Sequence, residues 1–299
     1  MGISGFDEMT RLAKVARPDV CVITNIGAAH LENLGSRDGI LKAKTEMFTY
    51  MNPKGTIILN GDDDKLISFT PENGIAPTYF GLNASHPFHA ENVVNQGLKG
   101  SAADFVTPNS RFHAHVSIPG SHMVYNALAG IAVGYTLDMT DEDISRGIEA
   151  NVTIAGRSNI IETDNYTIID DCYNANPASM KASIDVLAFA DTRTVAILGD
   201  MFELGKGSDR MHHEVGVHAA EAGINALICI GDLTAATGQG AKETAEKNGT
   251  PMEIRHFQTK EDFFRESDNI LKKNDTILIK ASHAMGFAEI VDILKNQQK

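Results

Sequence analysis

The sequence predicts an α/β protein of two domains. Its 299 residues are enough for two domains of ordinary size, each with its own core. Apolar residues make up 42% of the chain and charged residues 22%, the balance of a soluble globular protein. After Gly156 short apolar strands alternate with helices, which predicts a doubly wound parallel sheet. The change of pattern near residues 152–157 divides the chain into domains of residues 1–155 and 156–299.

The first domain is expected to combine a mixed sheet with helices. Asp19–Ile26 and Thr56–Asn60 are short, β-branched apolar runs typical of buried strands. Ser36–Met51 has helical spacing, with Ser36 as the N-cap. Alternating segments across residues 77–118 predict antiparallel strands. Two helices follow, over about residues 122–137 and 141–149.

In the second domain, predicted strands and helices alternate regularly. Strands are expected near residues 166–171, 194–199, 225–230 and 275–280, with a helix in each interval. No G-x-G-x-x-G follows any of these strands, so the alternation does not indicate a nicotinamide-dependent dehydrogenase.

Charge and cysteine content narrow the possible partners. The chain has 26 Lys and Arg against 39 Asp and Glu, a formal net charge of −13, which disfavours general binding to nucleic acid or to an anionic membrane. Three isolated cysteines (Cys21, Cys172 and Cys229) favour neither a disulfide framework nor a zinc site, and they fit a cytoplasmic location. An anionic ligand would therefore need metal ions, backbone amides and a few well-placed cationic side chains.

The end of the first predicted strand carries one candidate site. Residues 24–30 read TNIGAAH, and the carboxyl ends of strands in α/β sheets are where ligands bind. His30 would project from this connection, and Lys44 follows on a helix that can pack back toward it. The alternative is that His30 caps a helix and Lys44 lies on a solvated face.

The second domain gathers further candidates. Strands run directly into DDCYNANP, GDMFELG and KASH, so polar side chains should collect at one edge of the sheet. Asp and Asn also favour turns and helix caps for local reasons, which remains the alternative. The candidates at this edge are Asp171, Asn174, Asp200, Glu203, Lys280 and His283.

Taken together, the motifs resemble those of the Mur ligases. ITNIGAAHLENLGS, KAKTEMF, LNGDDD, PGSHMVYNALAG, GRSNI, DDCYNANPASM and GDMFELG occur in that family's order, across nearly the whole chain. DDxYNANP and GDMxELG are most similar to the branch that adds D-Ala-D-Ala to UDP-MurNAc-tripeptide. The resemblance implies a truncated central ATPase domain followed by a Rossmann-like, doubly wound C-terminal ligase domain.

The resemblance also implies roles for particular residues. Lys44 would be carbamylated and, with His30, would hold Mg²⁺, and both would be catalytic. ATP would be bound by Asn126, Arg157 and Asp171. The substrate side would be formed by Asn174, Asn176, Asp200, Glu203, Lys280 and His283. ATP would phosphorylate the carboxylate of the UDP-MurNAc-tripeptide, and the amine of D-Ala-D-Ala would attack the acyl phosphate. The implied partners are these small molecules alone, with no nucleic acid or membrane, and the protein is expected to be a monomer.

The chain departs from the family pattern at three places. No G-x-x-G-K-[ST] phosphate loop occurs in it, since the matching family segment lies upstream of Met1. Met123 stands where the family often has Asn, and KASHAM replaces KGSR, so that His283 is a weaker permanent cation than Arg. We therefore expect weak ATP binding and little or no turnover by this chain. A related ligase with another amino-acid substrate and a non-catalytic binding module remain the alternatives.

Overall fold

The computed structural model describes residues 2–27 and 30–297. Contacts divide the chain into two compact units, Met1–Asn151 and Val152–Lys299. The α/β class predicted from the sequence is confirmed in both units.

The first unit is built on a six-stranded mixed sheet. Its strands lie side by side in chain order. They are β1 (Val20–Ile23), β2 (Thr56–Asn60), β3 (Thr78–Gly81), β4 (Phe88–Asn95), β5 (Ser101–Val106) and β6 (Arg111–Val116). Strands β1 to β4 are parallel, whereas β4, β5 and β6 are antiparallel. The antiparallel prediction for residues 77–118 was therefore wrong for β3 and for its pairing with β4. The alternation of apolar and polar residues indicates which face of a strand is buried. It does not indicate whether neighbouring strands are parallel or antiparallel.

Helices cover both faces of this sheet. They are α1 (Glu8–Ala16), α2 (Leu31–Leu34), α3 (Arg37–Thr45), α4 (Asp64–Ile67), α5 (His122–Thr136) and α6 (Asp141–Glu149). The core on the α1 and α3 side includes Cys21, Ile23 and Ile57, whereas α5 packs on the opposite face against Ile58. The hydroxyl of Ser36 accepts from the Gly39 amide and caps α3, as predicted. The helix ends earlier than predicted, because residues Glu46–Tyr50 tighten into a 3₁₀ helix.

The second unit is a nearly parallel six-stranded sheet. Its strands are β7 (Asn159–Glu162), β8 (Tyr166–Asp170), β9 (Thr194–Gly199), β10 (Ala226–Ile230), β11 (Glu253–Phe257) and β12 (Asp275–Lys280). They lie in the order β11-β10-β9-β12-β8-β7, and only β7 runs antiparallel to its neighbour. The carboxyl ends of β8, β12 and β9 therefore meet at one edge, as the sequence predicted for this domain.

Helices lie on both faces of the second sheet. They are α7 (Pro177–Leu187), α8 (Ser208–Glu221), α9 (Thr234–Asn248), α10 (Lys260–Ile270) and α11 (Ala288–Asn296). One core contains Ile228 and Ile230 together with side chains of α10 and α11. On the other face Gly238 of α9 packs against Cys229. This layering is that of a doubly wound fold.

Two glycines let α8 and α9 approach closely. A Cβ on Gly216 would lie 1.8 Å from the carbonyl oxygen of Thr237, and one on Gly240 would lie 2.2 Å from that of His213. Each helix thus contributes one glycine to the crossing, and each glycine faces backbone of the partner helix.

Candidate functional site

The backbone after β1 is held by side chains from two later elements. The Thr24 carbonyl accepts a 3.0 Å hydrogen bond from Asn60 Nδ2, and the Asn25 carbonyl accepts one of 2.9 Å from Lys44 Nζ. Lys44 therefore packs back onto the connection that leads to His30, as the sequence predicted. The solvated-face alternative does not describe this lysine.

Ile26 is fixed at both of its backbone groups. Its amide donates to Asp63 Oδ2 at 2.7 Å, and its carbonyl accepts from Arg37 Nε at 2.8 Å. Asp63 also caps α4, because its Oδ1 accepts from the amides of Lys65 and Leu66. One buried carboxylate thus joins the end of β1 to the turn after β2.

Burial makes the Lys44 amine easier to deprotonate than an exposed lysine. Burial lowers the pKa of Lys44 below its usual value, and attraction to the nearby Asp63 carboxylate opposes this shift in part. Only the uncharged amine can attack CO₂, so a lowered pKa suits the carbamylation that the resemblance implies.

His30 stands at the start of α2 with a left-handed backbone, at φ 61° and ψ 27°. His30 occupies the N-cap position of α2, as the capping alternative expected, but its side chain makes no hydrogen bond to the amides of the first turn. Ala28 and Ala29 of the same motif lie outside the described residues. The pKa of the Glu8 carboxyl is lowered mainly by the Ser4 amide, and the charge of His30 contributes slightly, which places His30 near the start of α1.

A second cluster, in which Asp62 is central, ties the turn after β2 to α5. Asp62 Oδ1 lies 3.0 Å from His86 Nε2, and its Oδ2 accepts from the Leu82 amide at 2.6 Å and from the Tyr125 hydroxyl at 3.1 Å. Burial alone would raise the pKa of Asp62, but these three hydrogen bonds bring it below its usual value. Burial and Asp62 raise the pKa of Tyr125 to about 12.

Asn126 follows Tyr125 and lines a cavity of about 260 Å³ between β6, α5 and α6. Its side-chain amide donates to Met123 Sδ at 3.3 Å. The cavity lining is mostly apolar, with Asn126, Asp143 and Asn151 as its polar members. Such a lining suits a flat aromatic ring with a few hydrogen-bonding atoms.

In the second unit the residues on either side of Arg157 are tied to the end of β8. The Gly156 amide donates to Asp170 Oδ2 at 2.7 Å, and the Ser158 amide donates to Asp171 Oδ1 at 2.9 Å. The Arg157 backbone is therefore fixed to the edge of the sheet, while its side chain is exposed.

Asp171 and Lys280 form a buried ion pair. Lys280 is 3% exposed, and its Nζ donates to Asp171 Oδ2 at 2.6 Å and to the Asn174 carbonyl at 3.0 Å. The Ser183 hydroxyl also donates to Asp171 Oδ2, at 2.6 Å. The Lys280 ammonium is thus hydrogen-bonded to the loop that connects β8 to α7, and the Asp171 carboxylate is hydrogen-bonded to groups of the same unit.

The remaining candidates differ in what their side chains do. Asn176 caps α7 in a capping box with Ser179. Asp200 is 6% exposed and accepts from the Thr234 amide at 2.9 Å at the start of α9; burial raises its pKa. Glu203 and Asn174 are exposed, and Glu203 has a left-handed backbone at φ 62°.

His283 is exposed, and its ring centroid lies 5.5 Å from that of Tyr173. The second unit therefore brings Arg157, Asp171, Asn174, Lys280 and His283 to the ends of β8 and β12. Tyr173 and the Asp62 cluster were not singled out from the sequence. Their positions inside DDCYNANP and LNGDDD were the available signal.

Within residues 2–27 and 30–297, no group of three or more His, Cys, Asp or Glu side chains is arranged to hold a metal ion. The magnesium site that the resemblance implies would hold the ion with the carbamate of Lys44 and the ring of His30. Phosphate oxygens and water would complete the six-fold coordination that Mg²⁺ prefers.

Comparison with known families defines the class of the chain. Residues 1–134 match the model of the Mur ligase middle domain, and residues 156–283 match that of the Mur ligase, glutamate ligase domain. The chain belongs to the Mur ligase family, which confirms the resemblance seen in the motifs.

Named relatives point to one branch of the family. The chain is 32% identical to the UDP-N-acetylmuramoyl-tripeptide--D-alanyl-D-alanine ligase of Bacillus subtilis (strain 168), over 97% of this chain and 62% of the relative. It is 29% identical to the enzyme of the same name from Escherichia coli (strain K12), over 99% of this chain and 64% of the relative. A crystal structure of MurF from Acinetobacter baumannii superposes with a TM-score of 0.89 at 28% identity, covering 99% of this chain and 64% of that one. The chain thus spans less than two thirds of the length of these relatives.

Proposed function

We propose that the chain acts in ATP-dependent amide ligation, in which D-Ala-D-Ala is joined to UDP-MurNAc-tripeptide during peptidoglycan precursor synthesis. The observation that carries the proposal is the Lys44 amine, which has a lowered pKa and contacts the connection to His30. The motifs of the second unit and the names of the relatives support the choice of D-Ala-D-Ala.

In the first unit, Lys44 as its carbamate and His30 would hold Mg²⁺. The ion would neutralise negative charge on the transferring phosphoryl group. The Asn126 cavity would take the adenine ring, since its apolar walls can cover the ring faces and its amide can reach ring nitrogens. The hydrogen bonds of Asn60, Asp63 and Arg37 would keep the connection to His30 in place.

In the second unit, Arg157 would contact the nucleotide phosphates, with Asp171 beside it. Asn174, Glu203 and His283 are exposed and would face the incoming dipeptide. Asn176, Asp200 and Lys280 have structural partners, so we assign them to shaping the same surface. We assign residues 1–155 to a central ATP-binding domain and residues 156–299 to a Rossmann-like ligase domain.

We further propose a monomer acting on small molecules in the cytoplasm. The three cysteines are buried and free, which suits a reducing compartment. No helix within the described part of the chain is long and apolar enough to cross a membrane.

A second candidate function is binding without catalysis. It is favoured by the lack of a G-x-x-G-K-[ST] sequence, because the amides and lysine of such a loop surround the β- and γ-phosphates of ATP. Under the main proposal this lack makes ATP binding weak and ligation slow.

Calorimetry and a ligation assay with a substrate panel test these functions. We expect D-Ala-D-Ala to bind and Mg·ATP to bind weakly, with any amide product formed from D-Ala-D-Ala alone. Product formed from meso-diaminopimelate, lysine or glutamate would indicate another ligase of the family. A protein that binds ligands and forms no product with saturating substrates would support the non-catalytic function.

A further inference from the structure

The Arg157 side chain lies over an aromatic ring that the proposed function does not use. The guanidinium carbon is 4.0 Å from the centroid of the Tyr173 ring. The two segments also share a backbone hydrogen bond, from the Tyr173 amide to the Gly156 carbonyl at 2.9 Å. Gly156 has φ 79°, and a Cβ there would come within 3.2 Å of the Tyr173 amide nitrogen. The backbone approach that places Arg157 on the ring therefore depends on a glycine.

Tyr173 does not serve the core of its unit. Its side chain is 49% exposed, so burial of the ring accounts for little of its position. The Arg157 side chain is exposed, so its positive charge is presented to solvent at the edge of the sheet.

Stacking leaves the guanidinium able to bind an anion. The ring of Tyr173 covers one face of the planar cation, while the N–H groups point outward in its plane, where a phosphate accepts two of them. An unrestrained arginine loses side-chain entropy when it is fixed on a ligand, and prior stacking reduces that loss.

We propose that Tyr173 is the positioning residue for Arg157 and holds its guanidinium ready for a phosphate group. Asp170 and Asp171 fix the backbone on either side of Arg157, and the Tyr173 ring fixes its side chain. This inference rests on the phosphate-binding role given to Arg157 in the proposed function. The ring, rather than the hydroxyl, carries the effect.

A first experiment needs no ligand. In NMR spectra the Arg157 side-chain protons should be shifted by the Tyr173 ring current. Tyr173→Phe keeps the ring and should keep the shift, whereas Tyr173→Leu should abolish it. Phe189→Leu is the matched control, because Phe189 is also 49% exposed and lies beyond the end of α7. An Arg157 shift that survives in Tyr173→Leu would overturn the proposal.

A second experiment measures inorganic pyrophosphate binding by calorimetry. Tyr173→Leu should weaken binding about two- to fivefold, the range of an exposed cation–π contact, and Tyr173→Phe should bind like the unsubstituted protein. In an Arg157→Gln background, Tyr173→Leu should have no further effect.

Persistence of the Tyr173→Leu effect without Arg157 would show that Tyr173 acts by another route, and the proposal would fail. So would a lack of pyrophosphate binding by the unsubstituted protein. Neither measurement involves amide formation. A protein that shows the predicted coupling and makes no amide would refute the proposed ligation and leave the role of Tyr173 standing.

Discussion

Asp63 acts on three parts of the first unit through one carboxylate. Its Oδ2 holds the Ile26 amide, its Oδ1 caps α4, and its charge raises the pKa of Lys44 against the lowering caused by burial. The exposed neighbour Asp64 instead forms a surface salt bridge with Arg37. Two adjacent aspartates thus differ in burial and in the number of groups they organise.

Removal of the Asp63 side chain should make the two amides that it binds, those of Ile26 and Leu66, exchange faster with solvent. We expect Asp63→Ala to lower hydrogen-exchange protection of the Ile26 and Leu66 amides about fivefold, because the lost cap and hydrogen bond are each worth about 1 kcal/mol. Asp64→Ala is the control and should change both amides less than threefold, as expected of a surface ion pair. Equal effects of the two substitutions would contradict this assignment.

Lys44 should be the lysine of its helix that reacts with CO₂. With ¹³C-labelled bicarbonate, we expect a carbamate carbon signal that appears at a lower pH than an ordinary lysine would give, since the lowered pKa of Lys44 supplies uncharged amine at that lower pH. Lys44→Arg should remove the signal, because arginine stays protonated. Lys42→Arg, on an exposed position of the same helix, should retain it. If Lys42→Arg removed the carbamate signal and Lys44→Arg did not, Lys42 would be the lysine that reacts with CO₂.

At the scale of elements, local patterns located most strands and helices. Ser36 was identified as a cap, and β2, α6, β9 and β12 have the bounds or nearly the bounds expected. Strand β11 was not predicted, because EIRHF carries charged residues at an exposed edge where no apolar run is required. The parallel pairing of β3 was missed because direction depends on the path of the connecting chain.

Asn176 should contribute to stability as a helix cap. Its side chain accepts from the Ser179 amide at 3.0 Å, and the Ser179 hydroxyl accepts from the Asn176 amide at 3.1 Å. We expect Asn176→Ala to reduce the free energy of unfolding of the second unit by about 1 kcal/mol in denaturant titrations. Asn176→Ser should recover most of the loss, since Ser also caps helices. A large loss of D-Ala-D-Ala binding in Asn176→Ser with unchanged stability would instead indicate direct contact with the dipeptide.

At the scale of the whole molecule, the segment between the units should be open to proteases. Val152 and Ile154 are 78% and 70% exposed, so little packing protects this backbone. Limited proteolysis should cut first within residues 149–155 and give two fragments that keep their secondary structure by circular dichroism. First cuts inside either sheet would contradict the independence of the two units.

For the candidate site of the second unit, the sequence predicted which residues follow the strand ends, but not the contacts that their side chains make. Sequence order placed Asp171, Asn174, Lys280 and His283 at one edge, because parallel strands of a doubly wound sheet end together. It did not reveal that Lys280 is buried against Asp171, a pair separated by 109 residues. Nor did it reveal that Arg157 lies on Tyr173, since such contacts depend on the packing of loops.

The glycine crossing of α8 and α9 places the same steric constraint on two positions. A methyl group at Gly216 or Gly240 would collide with a carbonyl oxygen, which no change of rotamer relieves, so the helices would have to slide apart. Helix α8 begins at Ser208, after the acidic loop that contains Asp200 and Glu203, and the first amide of α9 donates to Asp200. A substitution at Gly216 or Gly240 would therefore displace the acidic loop that follows β9. Related sequences that lack one of these glycines should also differ in that loop.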